Sequence, residues 1–133
     1  NVWNSTSLKR ETTCIPIGAT GRHVFSVRFV VDDKFLLASV VDNGKSNIEL
    51  WNLSDSKDPR RIKTYTGHKN DLYSLWNNVI ICNSTKYIYS GSEDSKIYFW
   101  NFETEEPAGI IPVEVSGKLL VCRIIFFVVE EET

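Results

Sequence analysis

One short motif recurs three times along this chain: an apolar residue followed by Trp and Asn, at Val2-Trp3-Asn4, Leu50-Trp51-Asn52 and Phe99-Trp100-Asn101. The tryptophans stand 48 and 49 residues apart. A unit of that size cannot bury its apolar surface alone, so copies at near-constant spacing have to stack on one another. This feature excludes most folds built around one irregular core and directs the reading toward a repeat architecture.

Within each period the residues follow a strand pattern. Phe25, Val27 and Phe29 alternate with Val24, Ser26 and Arg28, a period of two that predicts a strand over 24–30. Phe35 to Val41 and Asn47 to Trp51 follow, joined through Asp42-Asn43-Gly44, where Asn and Gly both tolerate the positive φ of a tight hairpin. Residues 54–59 read as a loop to an outer strand over 61–65. The second unit repeats the plan, with strands expected over 72–76, 87–90, 97–100 and 108–113. Phe35-Leu36-Leu37-Ala38 is apolar on both faces, as suits a sheet packed between neighbouring sheets. No stretch has a helical period.

The spacing divides the chain into four parts. Residues 1–17 are the end of a preceding unit, with an outer strand over 12–17; 18–65 and 66–113 are two whole units. Residues 114–133 are a partial strand of a following unit or a divergent tail. Leu119 to Val129 is an apolar run with Arg123 near its centre, too short for a membrane helix and prone to β-aggregation if exposed. It lacks the motifs of the units before it, which leaves open both a first strand of a further unit and a departure from the repeat sequence after about Pro107. The chain starts at Asn1 and contains no Met, which suggests a piece of a longer reading frame. Two units leave sheet edges open, so marginal stability or self-association is expected of the piece alone.

Residues 66–101 carry the sharpest signature: Gly67-His68 at the start, Ser90-Gly91-Ser92-Glu93-Asp94 in the middle and Trp100-Asn101 at the end. That order resembles a WD40 repeat. The resemblance implies an all-β chain, a WD40 β-propeller fragment with two whole four-stranded blades plus parts of two flanking blades. It also implies a non-catalytic surface for holding protein partners. In such repeats a His, Ser, Asp and Trp form a structural hydrogen-bond chain, here His68, Ser90, Asp94 and Trp100, which ties the loop before the blade to its second and third strands. Buried polar groups are tolerable when each is paired in this way. A Ser-His-Asp nucleophilic site would need an oxyanion hole and an accessible serine, and neither is signalled. The first whole blade has Asp42 and Trp51, but His23 lacks a preceding glycine. That blade is expected to rely on packing more than on polar locking, with His23 in an exposed loop.

Other chemistry is weakly signalled. Gly44-Lys45-Ser46 matches the end of a phosphate loop, yet Ser39 stands where the first glycine belongs and a strand follows in place of a helix. A nucleotide-dependent enzyme is therefore the least favoured reading. No metallopeptidase or nucleophile-elbow motif occurs, so no catalytic residue, metal or cofactor is expected. A formal charge of −2 and an isoelectric point near 5.7 supply no broad positive field for nucleic acid. The basic run from Lys57 to Lys63 reads as a solvated loop and strand edge. Cys14, Cys82 and Cys122 are odd in number and widely spaced, which suggests reduced thiols, not a disulfide framework or zinc site. Asn4, Asn52 and Asn83 each open an N-x-S/T sequon, read as chance in a chain rich in Ser and Asn.

The run Lys63-Thr64-Tyr65-Thr66-Gly67-His68-Lys69-Asn70, with Ser90 to Asp94 and Tyr98 to Asn101, resembles a narrower group. It is similar to the WD-repeat core subunit of histone H3 lysine-4 methyltransferase (COMPASS/MLL-type) complexes, over that subunit's fifth and sixth blades. The likeness spans about residues 2–106 and is strongest over 62–102. It implies a nuclear, seven-bladed scaffold with two peptide sites. One is a channel mouth that captures an arginine of a methyltransferase subunit or histone tail peptide. Its motif falls on Tyr73, Ser74 and Trp76, with Phe25 or Ser26 nearby, and Trp76 would stack on the guanidinium. The other is a side cleft for a retinoblastoma-binding partner subunit, mapping onto Asp32, Phe35, Leu50, Lys63 and Glu103. Asp32 and Glu103 stand where the family has neutral amides, which should weaken an acidic partner. The alternative is a WD40 adaptor of another assembly, such as a ubiquitin-ligase substrate receptor. No direct nucleic-acid or membrane partner is expected.

Overall fold

A computed structural model describes residues 2–10, 17, 21–55 and 57–113. Eight strands follow one another: β1 (Arg22–Val30), β2 (Phe35–Asp42), β3 (Lys45–Asn52), β4 (Arg60–Thr66), β5 (Asn77–Cys82), β6 (Thr85–Ser92), β7 (Lys96–Asn101) and β8 (Pro107–Pro112). They form two four-stranded antiparallel meanders, ordered β1-β2-β3-β4 and β5-β6-β7-β8. Among the described residues there is no α-helix.

Turn chemistry sets the registers. Asn43 and Gly44 take φ of 48° and 75°, the paired positive values of a tight hairpin, and β2 pairs with β3 from Asp42↔Lys45 to Phe35↔Asn52 without a slip. The β5–β6 hairpin turns in the same way on Asn83 and Ser84, with φ of 47° and 65°, although no glycine announces it. Between β1 and β2, Val31, Asp32 and Asp33 all adopt positive φ.

The first strand of the second sheet lies at Asn77–Cys82, not over 72–76 as the apolar pattern suggested. Leu72 and Tyr73 donate their backbone N–H groups to Glu93 Oε1 at 2.6 and 2.9 Å, so this segment is pinned as a loop. The β-branched run Val79-Ile80-Ile81 supplies the strand instead. Of the outer strand expected over 12–17 only Ile17 is described, and it is buried. Cys14, Cys122 and the run 119–129 lie outside the described residues. The three Trp-Asn motifs are not equivalent: Trp51 and Trp100 are 5% and 1% exposed, whereas Trp3, in an isolated bridge to Arg10, is 61% exposed.

The largest apolar cluster lies between the sheets. Val30, Leu37, Ile48, Leu50 and Tyr65 from the first meet Ile88, Trp100 and Phe102 from the second. On the far face of the first sheet Leu36, Ala38, Val40 and Trp51 pack with Ile17, which explains why β2 is apolar on both sides. Each large side chain so buried contributes about 2 kcal/mol. Two polar ties cross the same interface: Tyr65 Oη donates to the Phe102 carbonyl and Trp100 Nε1 to the Thr66 carbonyl, both at 2.9 Å.

Candidate binding site

The loop between β4 and β5 connects the two sheets and carries the residues expected at the mouth. Ser74 Oγ donates to the Phe25 carbonyl at 3.1 Å, and Asn77 Nδ2 donates to the hydroxyls of Ser26 (3.4 Å) and Ser39. These bonds fix the loop against β1 and leave the aromatic rings outside. Trp76 is 55% exposed and Tyr73 47%. Trp76, Ser74, Leu75 and Asn77 line a cavity of about 270 Å³ whose opposite wall is Ser26, Val27 and Arg28. Phe25 is half-buried and contributes its carbonyl, while Tyr73 stands outside this lining. The sequence reading missed Arg28, whose guanidinium carbon sits 4.9 Å from the centre of the Trp76 ring. Its signal was present in the alternation of β1, which places Arg28 on the same side as Ser26.

Of the residues expected in the side cleft, Lys63 and Glu103 come together and Leu50 does not reach the surface. Leu50 is fully buried in the inter-sheet core, so it backs the cleft and cannot line it. Lys63 Nζ donates to the carbonyls of Phe102 and Glu103 at 2.7 and 2.8 Å and pairs with Glu103 Oε2 at 3.3 Å. Phe102 fills the space beneath, edge-on to Phe35 at 6.4 Å. Glu105 Oε1 accepts the Thr64 N–H at 2.7 Å. The loop after β7 thus lies against Lys63, held chiefly by its own backbone carbonyls and secondarily by the exposed Glu103 carboxylate. Asp32 remains exposed in the turn after β1.

The His68, Ser90, Asp94 and Trp100 set does not form the continuous hydrogen-bond chain expected of it. Trp100 Nε1 reaches Thr66 in the preceding sheet, Ser90 Oγ donates to the Gly91 carbonyl at 2.9 Å, and Asp94 accepts from Tyr98 Oη at 2.7 Å. His68 is 6% exposed and both its ring nitrogens lack a partner. It is held by rings, edge-on to Trp100 with centroids 5.3 Å apart and tilted against Tyr98. Burial lowers its imidazole to about 4, against the opposing pull of Asp94 and Asp71. Burial raises the Asp94 carboxyl, but the bonds from Tyr98 and Ser92 and the charge of Lys96 outweigh it and hold that group below its usual value.

The first sheet, expected to lack a polar lock, has a charged one. Glu49 is fully buried; its Oε1 accepts from Arg22 Nη2 and from Arg61 Nη1 (2.7 Å), and its Oε2 accepts from Trp51 Nε1 (3.0 Å). Arg22 also faces Asp42 at 3.3 Å. His23 is exposed, as anticipated, but lies within β1 and not in a loop. The phosphate-loop match is likewise part of the scaffold: Ser46 Oγ donates to Asp71 Oδ1 at 2.9 Å and accepts the Asn70 N–H at 2.8 Å. Its hydroxyl ties β3 to the loop between β4 and β5, and Lys45 and Ser46 open a strand where a helix would be needed. Among the described residues no group of three or more His, Cys, Asp or Glu could hold a metal ion, and no helix is long and apolar enough to cross a membrane.

Residues 59–101 match the WD40 family, described as WD domain, G-beta repeat. The chain is also 31% identical over 86 residues to the WD repeat-containing protein 26 homolog of Arabidopsis thaliana. That alignment takes in 65% of this chain but only 13% of the relative's length. The matched segment runs from the loop before β4 through β7, so the repeat straddles the interface between the sheets. An all-β chain with two four-stranded meanders and a WD40 repeat is built as propeller blades are. WD40 domains generally act as non-enzymatic surfaces for protein partners.

Proposed function

We propose that this chain forms part of a nuclear, non-catalytic WD40 scaffold in a histone H3 lysine-4 methyltransferase-type chromatin complex. Its mouth, bordered by Trp76, Tyr73, Ser74 and Phe25, captures an arginine of a methyltransferase subunit or histone tail. One observation carries the reading: the Trp76 ring is 55% exposed beside a cavity of about 270 Å³, and its face accommodates a guanidinium, that of Arg28, at 4.9 Å. A ring face that holds one guanidinium in this geometry can hold another of the same shape. The assignment to this complex rests on the likeness of Lys63 to Asn70 to that group. The side cleft is a weaker second surface, since Lys63 is already satisfied by the loop at Glu103.

Titration of an Ala-Arg peptide into the full-length protein tests the mouth. Trp76→Ala is expected to weaken binding at least roughly tenfold, the effect of losing a partly desolvated cation–π contact. Unchanged affinity would remove the assignment. Co-purification with ubiquitin-ligase subunits in place of methyltransferase subunits would transfer the scaffold to the adaptor reading.

A further inference from the structure

Arg28 poses a problem for any ligand that brings its own arginine. It already covers Trp76, at 4.9 Å from the ring centre, from a half-buried position on the opposite wall of the cavity. Among the described residues no carboxylate pairs with it: the ion pairs engage Arg22, Arg60, Arg61, Lys63 and Lys96. An arginine that takes the ring must therefore displace a like charge and leave it in a partly desolvated cavity without a carboxylate partner. A lining of Ser26, Ser74 and Asn77 relieves this only in part, because these side chains offer neutral oxygens and no counter-charge. Like charges at short range in a sheltered site repel strongly.

We infer that Arg28 sets the specificity of this mouth, selecting peptides that carry a carboxylate beside their arginine. The ligand guanidinium replaces Arg28 on the face of Trp76, and the displaced Arg28 turns its fork of N–H donors onto the ligand carboxylate, a bidentate geometry suited to both groups. A peptide with an isolated arginine has to expel Arg28 without compensation and binds less well. The inference rests on the arginine-capture reading above and extends it from one ligand group to two.

The test uses the full-length protein and two peptides that differ at the residue after Ala-Arg, either Glu or Ala. Wild-type protein is expected to bind the Glu peptide roughly fivefold more tightly, the effect of one partly exposed charge pair. In Arg28→Ala the Glu preference disappears, and the Ala peptide binds more tightly than it does to wild type because nothing has to be displaced. A Glu preference that survives Arg28→Ala, or an Ala peptide that binds no better to this variant, overturns the inference. Failure of the underlying reading looks different: Trp76→Ala then leaves both peptides bound as before. Arg28→Lys gives a control for folding, since it keeps the charge on β1 but loses the bidentate fork, and it should retain only part of the Glu preference.

Discussion

The two sheets share one strand plan but secure their third strands by opposite means. In the first, Trp51 donates to Glu49 two residues earlier on the same strand, and that carboxylate gathers Arg22 from β1 and Arg61 from β4. The lock is ionic and stays within the sheet. In the second, Trp100 donates across the interface to Thr66, stacks on Tyr98 and meets His68 edge-on, so the lock is aromatic and joins the sheets. The difference shows that a repeat motif specifies where a tryptophan sits, while neighbouring residues decide whom it holds. The second arrangement leaves His68 without a hydrogen-bond partner, tolerable because a neutral imidazole packed among rings loses less than a charged one would.

Removing the ionic lock should have the largest effect. Glu49→Ala leaves Arg22 buried without its principal counter-charge and is expected to destabilise the protein by about 3–5 kcal/mol. Chemical denaturation of the variant measures this. A loss under about 1 kcal/mol would mean that the two sheets differ in appearance only.

Acidification should act on the aromatic lock. The imidazole of His68 lies at about 4 in the folded protein, against 6.5 when unfolded. Between these values the unfolded chain binds more protons, so stability is complete above about pH 6.5 and declines as the pH falls toward 4. The full loss is about 3 kcal/mol. Melting temperatures measured from pH 7 to pH 4 should show this decline in wild type and a flatter profile in His68→Phe. Identical profiles would place the acid sensitivity elsewhere.

A smaller effect is expected from Trp100→Phe, which keeps an aromatic ring but deletes the N–H donor. Loss of the bond to Thr66, with the carbonyl left near the interface, should destabilise by about 1–2 kcal/mol. The matching change Trp51→Phe removes one of three donors to Glu49 and should cost about as much without weakening the contact between sheets. Hydrogen exchange at the Thr66 end of β4 separates the two, because only Trp100→Phe should accelerate it.

Much of the fold was legible in the residues. Period-two alternation located β1, Asn43-Gly44 located a hairpin, and the motif from Gly67 to Trp100 identified the repeat. The strand over 72–76 was misread because Leu72, Tyr73, Leu75 and Trp76 resemble strand residues. The backbone donors of Leu72 and Tyr73 are instead claimed by Glu93, about twenty positions later. Of the residues expected at a mouth, Ser74 and Trp76 line one cavity, but Arg28 is opposite them only because β1 and the β4–β5 loop meet. Lys63 and Glu103, both assigned to the side cleft, do meet, whereas Leu50 is buried behind them. Nothing adjacent to Lys63 in sequence shows that its ammonium is taken up by the backbone carbonyls of Phe102 and Glu103.

The sequence by itself determined the repeat, the strand alternation and the turns, because these depend on φ/ψ preference and on residues a few positions apart. Tertiary structure alone decided that Glu49 is a buried charged hub, that His68 is held by rings, and that Arg28 covers Trp76. Those outcomes depend on charges and rings 12 to 48 residues apart arriving at one place. Once water is excluded there, a nearby opposite charge or aromatic face determines which arrangement is stable.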